Sequence, residues 1–233
     1  MTKLIMFLLS SVLILMSPCT VIARTTIAYT QIDYLFGSTE ETYGSYNTIA
    51  NHLFVAPKIN AFFIPPIRAE LLLNNKEVDC LFPANIATMK NTAPLSSSLA
   101  INVIKAFIFS NNEYTNLGIF ETKTLALRRG TSYGDVKNTL QANFLELNTD
   151  EQGIKMLTKN RVEGVIAYYS DIIGVYKALN LPIPYFNPDF PVYVASEHLV
   201  CFDNAENNAL IELTNQKIIQ LQENGKLAEW LTK

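Results

Sequence analysis

Short apolar runs alternate with helix-period segments along most of this chain, and that alternation limits its fold more than any other feature. Residues 26–29, 59–63 and 78–82 read as strands, with helices expected at 46–53 and from Pro65-Pro66 to Asn74-Asn75. A proline pair suits a first helical turn, where the missing N–H would have no partner anyway. Leu71, Leu72 and Leu73 of that helix are expected to face a core. A second series follows, with strands at 105–110, 124–127, 144–147, 162–168 and 199–202. Helices are expected at 135–142, 151–158, 170–178, 209–222 and 226–231, the last two split by Asn224-Gly225, a C-cap signal. The proline-rich stretch 182–191 reads as a connection. The fold class is therefore α/β.

The first 23 residues stand apart. Residues 4–16 form a 13-residue apolar run behind Lys3, too short to span a bilayer, which takes about 20 residues. Val21-Ile22-Ala23 then precedes Arg24, so residues 1–23 are expected to be a cleavable secretory signal peptide. Ser17-Pro18 before Cys19 fits a lipoprotein signal poorly.

The 233 residues carry 18 Lys+Arg against 21 Asp+Glu, a net charge of −3 that becomes −4 once Lys3 is removed. A nucleic-acid binder would show a basic excess, so that class is excluded. Beyond residue 23, cysteine occurs at Cys80 and Cys201, both in apolar strand-like runs. In an oxidising compartment they could pair, and two buried thiols are the alternative.

Three segments, in order behind the signal peptide, carry a resemblance. Arg68-Ala69-Glu70-Leu71-Leu72-Leu73 leads to Lys76-Glu77-Val78-Asp79-Cys80; LALRRGTSYGD spans 125–135; IIQLQENGKLAEWL spans 218–231. Together they resemble the family 3 extracellular solute-binding proteins of bacteria. The resemblance implies a two-lobed, type II periplasmic-binding-protein-like fold with two crossing strands and a cleft between lobes. Lobe 1 would comprise residues 24–98 and 198–233, and lobe 2 residues 99–197. It also implies a monomer in the periplasm that closes on a small-molecule ligand by a hinge and delivers it to an ABC-type permease.

The resemblance puts ligand contacts at Tyr34, Arg68, Asn85, Thr88, Asn91, Arg128, Thr131, Ser132, Tyr168 and Tyr169. Amino-acid-binding members clamp the ligand carboxylate with an arginine shortly after a threonine. Here Thr88 matches that threonine, but Asn91 stands at the arginine's place. The aspartate that holds the ammonium is missing after 162–166, where Ala167-Tyr168-Tyr169 follow, and Asp171 comes later, in a first helical turn. Both zwitterion readers are thus expected to be absent, which disfavours an ordinary amino acid, because an unpaired buried charge is costly. Lys90 is the one available substitute. Arg68, at the start of the Pro65-Pro66 helix, is expected to present a fork to an oxyanion. Thr131 and Ser132, before the helix at 135, are expected to add anion-binding donors. Strand alternation lets only one of Arg128 and Arg129 face the cleft, and the family pattern favours Arg128. Among Tyr29, Tyr34, Phe36, Tyr168 and Tyr169, the loops of Tyr34 and Tyr168 match ligand-contacting positions. The expected ligand is small, polar and anionic or aromatic-compatible.

Catalysis is not expected. The chain has no Cys-x-x-Cys, His-Glu-x-x-His, Gly-x-Ser-x-Gly or phosphate-loop motif, and no cofactor or metal is called for. His52 and His198 are far apart, although His198 lies at the expected second crossing, and Glu197 is the candidate for a hidden general acid. Cyclohexadienyl dehydratases share the resembled fold and are the enzyme alternative. A ligand sensor feeding a membrane signalling protein is the other alternative.

Overall fold

A computed structural model of the chain describes residues 24–40, 43–55, 59–90 and 93–232. The expected signal peptide, Cys19 and Asn91 lie outside the described residues. In chain order the elements are β1 (Thr25–Thr30), α1 (Ser45–Leu53), β2 (Ile59–Ile64), α2 (Pro66–Asn74), β3 (Cys80–Ala84), β4 (Leu95–Ser97), β5 (Asn102–Phe109), β6 (Thr124–Arg128), α3 (Val136–Thr139), β7 (Asn143–Leu147), α4 (Asp150–Thr158), β8 (Gly164–Tyr168), α5 (Tyr169–Ala178), β9 (Tyr193–Phe202), α6 (Ala205–Glu223) and α7 (Lys226–Leu231).

The strands form one path, β2-β1-β3-β9-β5-β8-β6-β7, with β4 also on β9. β1 runs parallel to β2 and β3, and β6 runs parallel to β7 and β8. Parallel neighbours need helical crossovers, which cover both faces and make the strands apolar throughout. In β1, successive residues serve opposite cores. Ile27 packs with Phe36, Tyr46, Ile49 and Phe82, whereas Ala28 packs with Ile64, Leu72 and Leu73 beneath α2. The second half repeats the arrangement around Ile108, Leu125 and Ile166 on one side and Phe109, Ile154 and Val165 on the other.

β9 joins the two halves. Its residues from Tyr193 to Glu197 pair with β5, and from His198 onward it pairs with β3 and β4. Cys80 and Cys201 are register partners across β3 and β9, fully buried and disulfide-bonded, 121 residues apart in sequence. Of the two alternatives, buried thiols or a bridge, the structure has the bridge.

Several expectations change in detail. The helix expected at 135–142 shrinks to α3, because Leu140 turns extended (φ −100°, ψ 114°) and buries its side chain beside Val136. The strand expected at 199–202 is the second half of the ten-residue β9. Leu71 is exposed, since the buried face of α2 is Ala69, Leu72 and Leu73. No helix among the described residues is long and apolar enough to cross a membrane.

Candidate functional site

A cavity of about 170 Å³ lies where both halves of the sheet meet. The carboxyl ends of β1 and β3 supply Thr30, Leu81, Ala84 and the following Gln31, Ile32 and Asn85 to its wall; α2 supplies Pro66, Ala69 and Glu70. From the other half come Arg128 at the end of β6, then Gly130, Thr131 and Ser132, with Tyr168 and Asp171 from the β8–α5 junction. Ala195 and Glu197 of β9 form the floor between them. Crevices beyond the carboxyl ends of parallel strands are where α/β folds bind ligands.

Of the ten expected ligand contacts, Asn85, Thr88, Arg128, Thr131, Ser132 and Tyr168 line this cavity. Many of their polar atoms already have protein partners. Asn85 donates to the Tyr193 hydroxyl (3.1 Å) and accepts from the Ala87 N–H, and the Thr88 hydroxyl donates to the Asn85 carbonyl. The Tyr168 hydroxyl donates to the Ser132 carbonyl at 2.7 Å, while its ring stacks on Tyr133 at 5.3 Å. Tyr168 is thus a rigid wall, not a free donor.

Tyr34, Arg68 and Tyr169 are placed elsewhere. Arg68 is exposed and does not line the cavity: its helix turns Ala69 into the core and Glu70 toward the cavity, which leaves residue 68 on the outer side with Ile67 and Leu71. The oxyanion expected at Arg68 has no support there. Tyr34 adopts a positive φ of 61° and packs half-buried against the core of the second half, next to Gly174. Tyr169 follows cavity-facing Tyr168 and therefore points to the opposite side, where it is 42% exposed and contacts Phe186. Tyr29 and Phe36 belong to the aromatic core, with ring centroids 4.9 Å apart. α3 has four residues, too few for the expected helix-terminus anion site beside Thr131 and Ser132.

Arg128 is the polar centre of the wall. Only 8% exposed, it directs Nη1 at Asp150 and Nη2 at Asp33, both at 3.4 Å. Its buried Nε has no hydrogen-bond partner among the described residues. Arg129, the next residue, points outward to Glu146. Asp150 is 4% exposed, and burial lifts its carboxyl from 3.8 to about 6, with Arg128 pulling it down and Asp33 pushing it up.

Among the described residues, three carboxyls line the cavity itself, those of Glu70, Asp171 and Glu197; Glu70 accepts a hydrogen bond from the Lys90 N–H at 2.7 Å. Asp171 sits half-buried in the first turn of α5; burial, then the nearby Asp150, raise it from 3.8 to about 7. Glu197 is buried, accepts a hydrogen bond from the Tyr46 hydroxyl, and stands opposite Asn102 of β5. Burial and Asp171 raise it from 4.5 to about 8, against the lowering effect of the Tyr46 and Asn102 hydrogen bonds. Among the described residues lining the cavity, three acids stand against one base, Arg128. Asp171, which follows the place where the resemblance expects an ammonium reader, brings a carboxyl to the cavity wall. The signal was its position just past a cleft-facing strand end. Asp33 and Asp150 carried no such signal, because their partnership with Arg128 exists only in the fold.

No family model matches the chain, and no curated protein matches it. Solved structures do. The GluR0 ligand-binding core in complex with L-glutamate matches with a TM-score of 0.73 at 16% identity, over 90% of this chain and 96% of that one. The substrate-binding protein of an amino acid ABC transporter matches at 0.70 and 14%, over 91% and 100%. AbpA of Streptococcus pneumoniae, an amino acid ABC transporter substrate-binding protein bound to L-arginine, matches at 0.69 and 13%, over 90% and 93%. At these identities the likeness is one of fold. The chain has the two-lobed α/β fold of ABC-transporter amino-acid substrate-binding proteins.

Proposed function

We propose that this protein is a periplasmic solute-binding protein that captures one small polar ligand in the cleft and hands it to an ABC-type permease. Lobe 1 would be residues 24–98 with 198–233 and lobe 2 residues 99–197. In this reading the chain binds without catalysis, works as a monomer, and is exported by the segment 1–23. The observation that carries the reading is Arg128, a cavity-lining side chain whose buried Nε lacks a partner among the described residues. A buried donor left unpaired costs about 1–3 kcal/mol, and a ligand oxygen accepting from it would remove that cost.

Ligand binding would stabilise the closed arrangement through its differential affinity for it. A thermal-shift screen of small metabolites tests the reading. A true ligand at a hundred times its Kd should stabilise the native state by about 2.7 kcal/mol. If a broad metabolite panel, amino acids included, leaves the melting temperature unmoved, the binding role is refuted.

A further inference from the structure

A second cavity, of about 270 Å³, lies away from the cleft at the C-terminal ends of α4 and α5. α4 brings Leu157 and Thr158 to its wall, α5 brings Tyr176, and Asn111 and the segment 181–185 close it. The first turns of the same two helices serve the cleft, where Asp150 holds Arg128 and Asp171 lines the wall. The two cavities therefore sit at opposite ends of helices about 15 Å long.

The wall of this second cavity is held in place by the protein itself. The Leu181 N–H donates to the Tyr176 carbonyl at 3.1 Å and the Ser110 N–H to the Tyr185 carbonyl at 2.9 Å, which pins both ends of 181–185. Pro182 and Pro184 stiffen the backbone between them. Other polar groups in the wall have partners. Asn111 Nδ2 donates to the Leu157 carbonyl and to Asn160 Oδ1, both at 2.9 Å. The Thr158 hydroxyl donates to the Ile154 carbonyl at 2.9 Å and the Tyr185 hydroxyl to the Tyr114 carbonyl at 3.2 Å. Tyr176 differs. Its side chain is 3% exposed, yet its hydroxyl makes no hydrogen bond to any described residue, and burial raises it above the ordinary tyrosine range. A tyrosine hydroxyl buried to this degree normally has a partner.

The lining limits what can supply that partner. Among the described residues, no charged side chain lines the cavity, so an ionised ligand would find no counter-charge there. Leu157, Leu181, Ile183 and the two prolines offer contact to an apolar body. A cavity of about 150 Å³ holds benzene, so this one has room for a ring with a substituent. A wall fixed in advance also lowers the ordering cost of binding.

We propose that this cavity is a second small-molecule site, taking an uncharged phenol-like compound whose ring lies against the leucines and prolines and whose hydroxyl pairs with that of Tyr176. The site is separate from the cleft, and the proposal does not depend on what the cleft binds.

Titrations of the purified protein with phenol and with toluene, followed by ligand-observed NMR, test it, since the two probes differ by a hydroxyl against a methyl group. Saturable phenol binding is expected in wild type, with nuclear Overhauser contacts from the bound ring to the methyl groups of Leu181 and Ile183. In Tyr176→Phe the ratio of phenol to toluene affinity should fall about threefold to tenfold, the worth of one hydrogen bond, with toluene bound as before. Benzoate and benzylamine, both charged at pH 7, should give no contacts to those methyl groups. An unchanged ratio in Tyr176→Phe overturns the pairing, and contacts from the charged probes overturn the ligand class. If Tyr176→Phe lacks a cooperative urea transition, the wild-type contacts decide alone. Phenol that does not bind, or that contacts other methyl groups only, overturns the site.

Discussion

Arg128 and Asp33 lie 95 residues apart, yet Nη2 of the arginine reaches Oδ1 of the aspartate at 3.4 Å, linking the end of β6 to the loop after β1. The aspartate is partly exposed, so the pair alone contributes modestly. Its larger effect is geometric, since it and Asp150 fix the guanidinium from two sides. Asp33→Asn is expected to lower stability by less than about 1 kcal/mol while weakening ligand binding several-fold. Urea unfolding and titration of the same variant measure the two effects; an unchanged affinity would contradict the positioning role.

Gly130 sits on the turn after β6 with φ of 81°, and a Cβ there would stand 2.5 Å from Cα and N of Ile67 at the start of α2. Gly225 has nearly the same φ, 72°, with nothing within 4 Å. Both alanine variants carry the left-handed strain of about 1 kcal/mol. Gly130→Ala should in addition hold α2 off the turn and weaken ligand binding at least tenfold, whereas Gly225→Ala should bind normally. Equal affinities in the two variants would show that this close approach is not needed for binding.

The carboxyls of Asp150, Asp171 and Glu197 are raised to about 6, 7 and 8, chiefly by burial. Each keeps its proton in the folded chain at pH values where the unfolded chain has lost it. Unfolding therefore releases protons, and stability is fully present below about pH 4 for these groups and falls as pH rises toward 8. Each differently protonated group contributes a slope of about 1.4 kcal/mol per pH unit. Urea denaturation between pH 4.5 and 8 should show the decline, and Glu197→Gln should flatten its upper part. A stability that climbs over this range would contradict the assignment.

Much of the architecture was legible in sequence because parallel strands buried on both faces leave apolar runs such as 78–82, and proline and Asn-Gly mark helix ends. β9 was half hidden. Its first five residues, from Tyr193 to Glu197, alternate buried Ala195 and Glu197 with more exposed neighbours and include an acid in the core. The candidate site was legible where strand alternation decides, as in Arg128 against Arg129. It was not legible where helix rotation decides, as in Arg68, whose neighbour Glu70 reaches the cavity instead. Long-range partners such as Asp33, Asp150 and Tyr46 leave no local pattern.

The Cys80–Cys201 bridge joins β3 to β9 within the core cluster that α1, α6 and α7 also pack into. Replacing both residues by serine should cost about 2–5 kcal/mol of unfolding free energy. Alkylation of the unfolded, unreduced protein gives the direct check: no added mass at these two cysteines is expected, and two modified thiols there would refute the bridge.

A small ligand in this cleft is expected to bind against Arg128. Calorimetric titration of the strongest ligand from the metabolite screen into wild type and Arg128→Lys tests it most directly. Lysine keeps a positive charge for Asp33 and Asp150 but removes the unpartnered Nε donor. One site per chain is expected in wild type and at least tenfold weaker binding in the variant; equal affinities in the two proteins would refute a site at Arg128.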